Sequence, residues 1–366
     1  MISVILPTKD EEKAIEEIVK KCRDAGIQEI IVVDDSKDKT PEIAEKLGCK
    51  VLRNVKGYGN AYIEGLKHAS GEIVVMMDAD GSYDPLEIKK LVKPILEGKA
   101  DLVIGSRFRG KIMPKAMSWH HRYIGNPLLT KMTNFLFKTN LSDVHSGFRA
   151  VRKDFVSKLN LMCPGMEFAT EFILKAVVNG LRITEIPINY YPRKGESKLR
   201  SFRDGWRHLR LILTTSPGQL FLVPSIFITL LGILISAYVL LLNPIRTHTL
   251  ILGTLLVLVG IQIFFFGISG KLYSKQIGFR REDKITKIFS NYSLLEKIMF
   301  FGAFLFISGI ILGYRVLSAW FKVGFGSLSE LNTAILSMLF IFSGLQIIFS
   351  SIFISVFLLV EKDKGY

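Results

Sequence analysis

Two groups of carboxylates stand where short apolar runs stop. Asp34 and Asp35 follow Ile30-Ile31-Val32-Val33, and Asp78-Ala79-Asp80 follows Val74-Val75-Met76-Met77. In an alternating carboxylate pair both side chains approach one hard cation, and such a cation bridges phosphate oxygens. A lone D-x-D also reads as a solvated loop, but the buried strand implied ahead of this one favours a site. No G-x-G-x-x-G follows the first apolar run and no G-x-x-x-x-G-K-[ST] occurs, so neither a dinucleotide fold nor a P-loop is encoded. A nucleotide would bind here with its phosphates neutralised through a metal.

The opposite charge is also concentrated. Residues 101–153 carry ten basic side chains against Asp101 and Asp143 alone, interleaved with Trp119, Tyr123, Leu128 and Phe135. Residues 198–213 repeat the pattern, with Phe202, Trp206, Leu209 and Ile212 among Arg200, Arg203, Arg207 and Arg210. Basic groups mixed with apolar ones suit an anionic lipid surface; a solvated basic helix packed on the sheet is the plainer alternative.

The elements that must hold these groups alternate. Strands are predicted over residues 2–6, 29–33, 50–53 and 73–77, and helices over 11–25, 40–47 and 59–69. Strands separated by helices imply βαβ units and a mostly parallel sheet, whose ligands bind at the carboxyl ends of the strands. Both acidic groups fall there.

From residue 219 the composition changes. The chain has 366 residues, 49% of them hydrophobic, and a formal charge of +15, yet residues 1–216 account for only +9 of that charge and read as soluble. Apolar runs at about 219–242, 250–270, 298–318 and 332–360 each supply the roughly 20 residues that span a hydrocarbon core. The loop between the second and third runs holds Lys271, Lys275, Arg280, Arg281, Lys284, Lys287 and Lys297. The positive-inside rule therefore expects a multi-pass protein of the cell membrane with the N-terminal domain and both termini cytoplasmic. The apolar stretch through Pro7 is too short for a signal peptide. Cys22, Cys49 and Cys163 show no C-x-x-C spacing, so no disulfide framework or zinc site is read. The expected division is a domain over 1–198, an amphipathic interfacial linker helix over 199–218 and a four-helix transmembrane domain over 219–366. Four spans make lipid headgroups the phosphate source, and no nucleic-acid partner is expected.

Residues 1–216 resemble the inverting family 2 glycosyltransferases, and more closely the membrane branch that contains dolichyl-phosphate mannose synthase and polyprenyl-phosphate hexosyltransferases. Carrying the resemblance are Leu6-Pro7-Thr8 with Glu11-Glu12, Val33-Asp34-Asp35-Ser36 with Asp38 and Thr40, and Met77-Asp78-Ala79-Asp80. Gly105-Ser106-Arg107, Ser146-Gly147-Phe148-Arg149, and Glu185-Ile186-Pro187 leading to Arg193, Gly195, Ser197 and Lys198 complete it. The resemblance implies a GT-A type, Rossmann-like, mostly parallel sheet, followed by interfacial and transmembrane helices. It also implies roles. Pro7, Thr8, Glu11, Asp34, Asp35 and Asp38 would hold the nucleoside, Asp78 and Asp80 would grip Mg2+ or Mn2+ and the donor diphosphate, and Arg193 and Lys198 would close over that diphosphate. Arg122 and Asn126 would address the acceptor phosphate, with Arg107 at its approach.

Two departures matter. Many members have Tyr or Asn after the first Pro, where this chain has Thr8-Lys9, and mannose synthases commonly continue the D-x-D with Leu-Gln, where this chain has Gly81-Ser82. Ser82 or a water would then replace the Gln as metal ligand. The Gln-x-x-Arg-Trp signature of processive synthases is absent, so a single transfer is expected. That transfer would move mannose from GDP-mannose, or glucose from UDP-glucose, to dolichyl or another polyprenyl phosphate, with oligomeric state open. The alternatives are a tethered transferase with a non-lipid acceptor, and a non-catalytic nucleotide-sugar-binding scaffold or flippase.

Overall fold

The computed structural model describes residues 1–195, 201–242, 246–325 and 330–362. It divides into two compact units, Met1–Ile212 and Leu213–Tyr366.

The first unit is a seven-stranded sheet in the order β3-β2-β1-β4-β6-β5-β7. Its strands are β1 (Ile2–Thr8), β2 (Glu29–Asp34), β3 (Lys50–Arg53), β4 (Ile73–Met76), β5 (Leu102–Ile112), β6 (Arg149–Arg152) and β7 (Ile183–Tyr190). Every neighbouring pair is parallel except those made by β6, which runs antiparallel to both β4 and β5. The helices are α1 (Ile15–Asp24), α2 (Thr40–Lys46), α3 (Tyr58–His68), α4 (Ile88–Leu96), α5 (Asn126–Phe137), α6 (Lys153–Leu159), α7 (Phe168–Val178) and α8 (Ser201–Thr214).

Strand β1 explains why the sheet is buried on both faces. Its side chains alternate between the two cores: Val4 and Leu6 pack with Ile30, Val32 and Val75, while Ile5 packs with Ile31, Val33, Val74 and Met76. One core is closed by α1, whose Ile15, Ile18, Val19 and Cys22 are buried at helical spacing. Glu16 and Glu17 begin that helix and Lys21 and Arg23 end it, matching its dipole. The strand order also reverses at β1: β2 and β3 extend to one side and β4 lies on the other. A crevice opens at such a switch point beyond the carboxyl ends of the strands. The carboxyl ends of β1, β2 and β4 carry Thr8, Asp34 and, just past Met76, Asp78.

The second unit is helical: α9 (Val223–Leu242), α10 (Thr247–Gln276), α11 (Lys284–Phe289), α12 (Tyr292–Lys322) and α13 (Leu331–Lys362). Among the described residues, four segments are long and apolar enough to cross a membrane: Gly218–Leu242, Thr247–Gln276, Tyr292–Lys322 and Leu331–Leu359. Helices α10 and α12 outrun the apolar sequence windows because polar residues add turns at their ends. The close contacts within the unit use glycine where no side chain fits. A Cβ on Gly344 of α13 would lie 2.6 Å from the Gly302 carbonyl oxygen of α12, and one on Gly232 of α9 would lie 2.6 Å from that of Gly253 in α10. Gln346 of α13 also donates to the side chain of Gln262 in α10, a polar tie where lipid offers no hydrogen-bond partner.

Candidate active site

The carboxyl ends of β1 and β2 are locked together first. Thr8 Oγ1 donates to Asp34 Oδ1 at 2.7 Å, and Asp34 also accepts from the Ser36 amide at 3.0 Å and the Ser36 hydroxyl at 2.6 Å. Asp34 is buried, and its carboxylate ties the end of β2 to β1 and to the Ser36 turn. Asp35, more exposed, pairs with Lys9 at 2.7 Å. Glu12 donates its amide to Asp38 at 3.1 Å, and Glu11 donates its amide to Thr40 Oγ1 at 2.9 Å. Between these loops lies a cleft of about 500 Å³ lined by Asp10, Glu11, Glu12, Lys13, Lys37, Asp38 and Gly195. Pro7 lies opposite Val33 in the β1–β2 register, one residue before Thr8.

Past β4, Asp78 Oδ1 accepts from two phenols of α3, Tyr58 at 2.9 Å and Tyr62 at 3.2 Å. Its Oδ2 accepts no hydrogen bond among the described residues. Burial and then the Asp80 charge raise the Asp78 pKa to about 6, against the pull of both phenols and Arg193. Asp80 is buried; its Oδ1 accepts from the Ser82 amide at 2.9 Å, and its Oδ2 meets Arg193 Nη2 at 2.7 Å. The chain after β7 lies along the motif: Lys194 donates its amide to the Asp80 carbonyl, Tyr191 donates to the Ser82 carbonyl, and the Lys194 ammonium pairs with Glu17 of α1.

Metal binding can be tested on these residues. Among the described residues no group of three or more His, Cys, Asp or Glu side chains is arranged to hold an ion. Two like-charged carboxylates, one of them with an oxygen to spare, still form half of a hard-cation site if a substrate supplies further oxygens. The Ser82 hydroxyl is buried with no hydrogen-bond partner among the described residues, two positions past Asp80. The set fits Mg2+ or Mn2+ brought with a diphosphate.

Residues 3–159 match glycosyl transferase family 2, and residues 268–358 match the glycosyltransferase family 2 C-terminal transmembrane region. The low-salt glycan biosynthesis hexosyltransferase Agl6 of Haloferax volcanii is 36% identical over 363 residues, 96% of this chain and 87% of the relative. The chain belongs to the family 2 glycosyltransferases. Its sheet, with one antiparallel strand among parallel ones, is the GT-A-like arrangement of this family 2 member, and its second unit makes it a membrane protein. The dolichol-phosphate mannosyltransferase of Pyrococcus furiosus is 34% identical over 217 residues, 54% of this chain and 59% of that protein. The dolichyl-phosphate hexose transferase of H. volcanii is 29% identical over 210 residues, 56% of this chain and 89% of that protein.

In this family 2 enzyme the candidate site residues separate into three groups. Thr8 and Asp34 are hydrogen-bonded at the ends of β1 and β2, while Asp80 is paired with Arg193 past β4, with Asp78 two residues before it. Arg107 stands apart, in a buried bidentate pair with Asp143 at 2.7 and 2.8 Å and 5.2 Å from the Tyr190 ring centroid. Burial alone would lower its pKa, but the Asp143 charge raises it well above the ordinary arginine value. An arginine held this way braces β5 against Asp143. Arg122 sits in a π-helical turn ahead of α5, half-buried, 5.4 Å from the Tyr123 ring centroid and without an ion pair among the described residues. Asn126 begins α5, its amide nitrogen 3.6 Å from Met117 Sδ. Lys198 lies outside the described residues.

Tyr58, Tyr62 and Tyr83 carried no role from the sequence alone. The Tyr83 hydroxyl accepts from the Gly147 amide at 3.0 Å, and a Cβ on Gly147 would lie 2.7 Å from Asp78 Oδ2 and 2.9 Å from the Tyr58 hydroxyl. The Ser146-Gly147-Phe148-Arg149 motif therefore builds the wall of the D-x-D. Arg149 fastens that wall from beneath, donating to the carbonyls of Ser146, Val144 and Ala169 at 2.7 to 2.8 Å. The available signal was Tyr58, Tyr62 and Tyr83 themselves, polar-tipped aromatics in segments that flank the acidic motif.

Proposed function

We propose that this enzyme transfers a hexose, mannose from GDP-mannose as the first choice, with inversion onto the phosphate of a dolichol or another polyprenol. The observation that carries the reading is the Asp78-Ala79-Asp80 motif at the carboxyl end of β4, met by Arg193 and followed in the same chain by four membrane-crossing segments. The names of the relatives support the acceptor: one is a dolichol-phosphate mannosyltransferase and another a dolichyl-phosphate hexose transferase. The nucleoside would occupy the cleft between the Pro7–Glu12 and Asp34–Asp38 loops. Asp78 and Asp80 would hold a divalent cation, which supplies positive charge to the departing diphosphate.

An isoprenoid phosphate monoester is already anionic near neutral pH, so attack needs no strict general base. Catalysis then rests on placement and charge. Arg122 offsets repulsion between two phosphate-bearing substrates, and Arg193, with Lys198, stabilises the diphosphate. The acceptor oxygen attacks the anomeric carbon opposite the diphosphate, the glycosidic C–O bond to the diphosphate breaks, and configuration inverts. The basic loop between the second and third spans supports a cytoplasmic location for residues 1–216 by the positive-inside rule.

A donor panel tests the reading. Purified protein with Mn2+ and a short-chain polyprenyl phosphate is given GDP-mannose, UDP-glucose and CDP- or ADP-sugars in turn. GDP release with GDP-mannose supports the first choice; UDP release with UDP-glucose moves the assignment to glucose. Release with none of them overturns the transferase reading.

A further inference from the structure

The two oxygens of Asp78 are in different states. Oδ1 is claimed twice, by Tyr58 at 2.9 Å and Tyr62 at 3.2 Å, and Oδ2 by nothing among the described residues. The phenols come from successive turns of α3, at i and i+4, so one helix face delivers both. Their rings pack edge-to-face with centroids 5.0 Å apart, and Tyr62 stacks on Phe168 of α7 at 5.4 Å. Helix α3 is fixed at its start, where the Gly59 and Asn60 amides both donate to the Pro164 carbonyl. The donors are therefore held from outside the acidic motif.

A carboxylate free to rotate presents either oxygen, or both. Two rigid phenols on one oxygen remove that freedom and leave the other in a defined place, against Gly147, whose amide Tyr83 fixes. Asp80 needs no such clamp, because its oxygens already meet the Ser82 amide and Arg193. We propose that Tyr58 and Tyr62 are positioning residues of the donor site, which orient Asp78 so that Oδ2 alone is offered to the divalent cation of a metal–nucleoside diphosphate. This rests on the donor-site reading above. The phenols act through Asp78 and touch no reacting atom, so their effect falls on donor and metal binding rather than on the transfer step.

The variants are Y58F, Y62F and the double variant, which keep both rings and their packing and remove only the hydroxyls. Full-length protein in nanodiscs is titrated with Mn2+ in the presence of GDP and of UDP, following bound Mn2+ by its electron paramagnetic resonance signal, and steady-state kinetics are measured alongside. Each single variant is expected to weaken Mn2+–nucleotide binding roughly 3-fold or more, since the other phenol remains, and the double variant by at least about 10-fold. KM for the donor should rise in step, with kcat and the acceptor KM within about 2-fold of wild type. Unchanged Mn2+–nucleotide affinity in the folded double variant overturns the proposal, as does a loss confined to kcat. If the double variant does not fold, the single variants decide by the same measure. A wild-type protein that binds no Mn2+–nucleotide overturns the donor-site reading itself; wild-type binding matched by the variants overturns only the role of the phenols.

Discussion

Arg193 Nη2 lies 2.7 Å from Asp80 Oδ2, so the cation that neutralises the D-x-D in this structure belongs to the protein itself. Burial opposes the charge on Arg193 and Asp80 restores it, raising its pKa above the ordinary value. On the proposed metal site, a divalent ion reaching Asp80 Oδ2 would displace this guanidinium and release it to the diphosphate. Replacing Arg193 by Ala is expected to tighten Mn2+ binding in the absence of nucleotide by a few-fold and to lower kcat with donor by about 100-fold or more, the scale of a lost charge-stabilising donor. Calorimetry with Mn2+ alone, beside kinetics, checks both signs.

Gly147 is the second point of control. A methyl group there would sit 2.7 Å from Asp78 Oδ2, closer than atoms that are not bonded settle. Gly147→Ala should therefore push Asp78 or Tyr58 aside and raise donor KM about 10-fold or more, while thermal stability changes by only about 1–3 kcal/mol, as for a modest overpacking. Equal donor KM in the two proteins contradicts the close packing of Gly147 on the motif.

The pair of Arg107 and Asp143 gives a stability prediction. Both are buried, and breaking such a pair by removing one partner leaves an uncompensated charge. Asp143→Asn is expected to cost about 3–5 kcal/mol of stability. Arg107 is read here as a brace, so Arg107→Lys should lower thermal stability while leaving the acceptor KM of the surviving folded protein unchanged. A rise in acceptor KM without loss of stability would return Arg107 to the acceptor site.

How far the site was legible in the sequence follows from these residues. The alternation of apolar strands and amphipathic helices placed β1 to β4 and both acidic groups, because each is written in a local period and an abrupt end. The pairing of Arg107 was not legible, because its partner Asp143 lies 36 positions away. Tyr58 and Tyr62 were visible as polar-tipped aromatics but could not be assigned, since a phenol on a helix face acquires a role only when folding brings a carboxylate beneath it. Arg122 could be read as a candidate through the family resemblance, with Asn126 one helical turn on, and it stays without an ion pair among the described residues.

A buried histidine pair makes stability fall in acid. His208 of α8 shares a 2.7 Å hydrogen bond with Thr170 Oγ1, and His145 approaches the same oxygen at 3.3 Å. Burial lowers the His208 pKa to about 4, against the raising effect of Asp204 and with Arg149 adding to the depression; burial and the His208 charge take His145 well below the usual value. The unfolded chain therefore binds protons that the folded chain refuses. The stability contributed by the neutral rings is complete above about pH 6.5 and is lost as pH falls toward 4. Thermal unfolding of the full chain in detergent should show this acid loss, and His208→Gln should flatten it. An unchanged slope in the variant would contradict a neutral buried His208.

The most direct test of the whole account is where the sugar goes. Full-length protein in nanodiscs is given radiolabelled nucleotide sugar, Mn2+ and polyprenyl phosphate, and the reaction is extracted with organic solvent. Label is expected in the organic phase together with an equal amount of nucleoside diphosphate, both absent when the lipid phosphate is omitted and both lost with Asp80→Asn. Label transferred to a water-soluble acceptor, or organic-phase product that persists in Asp80→Asn, would contradict it.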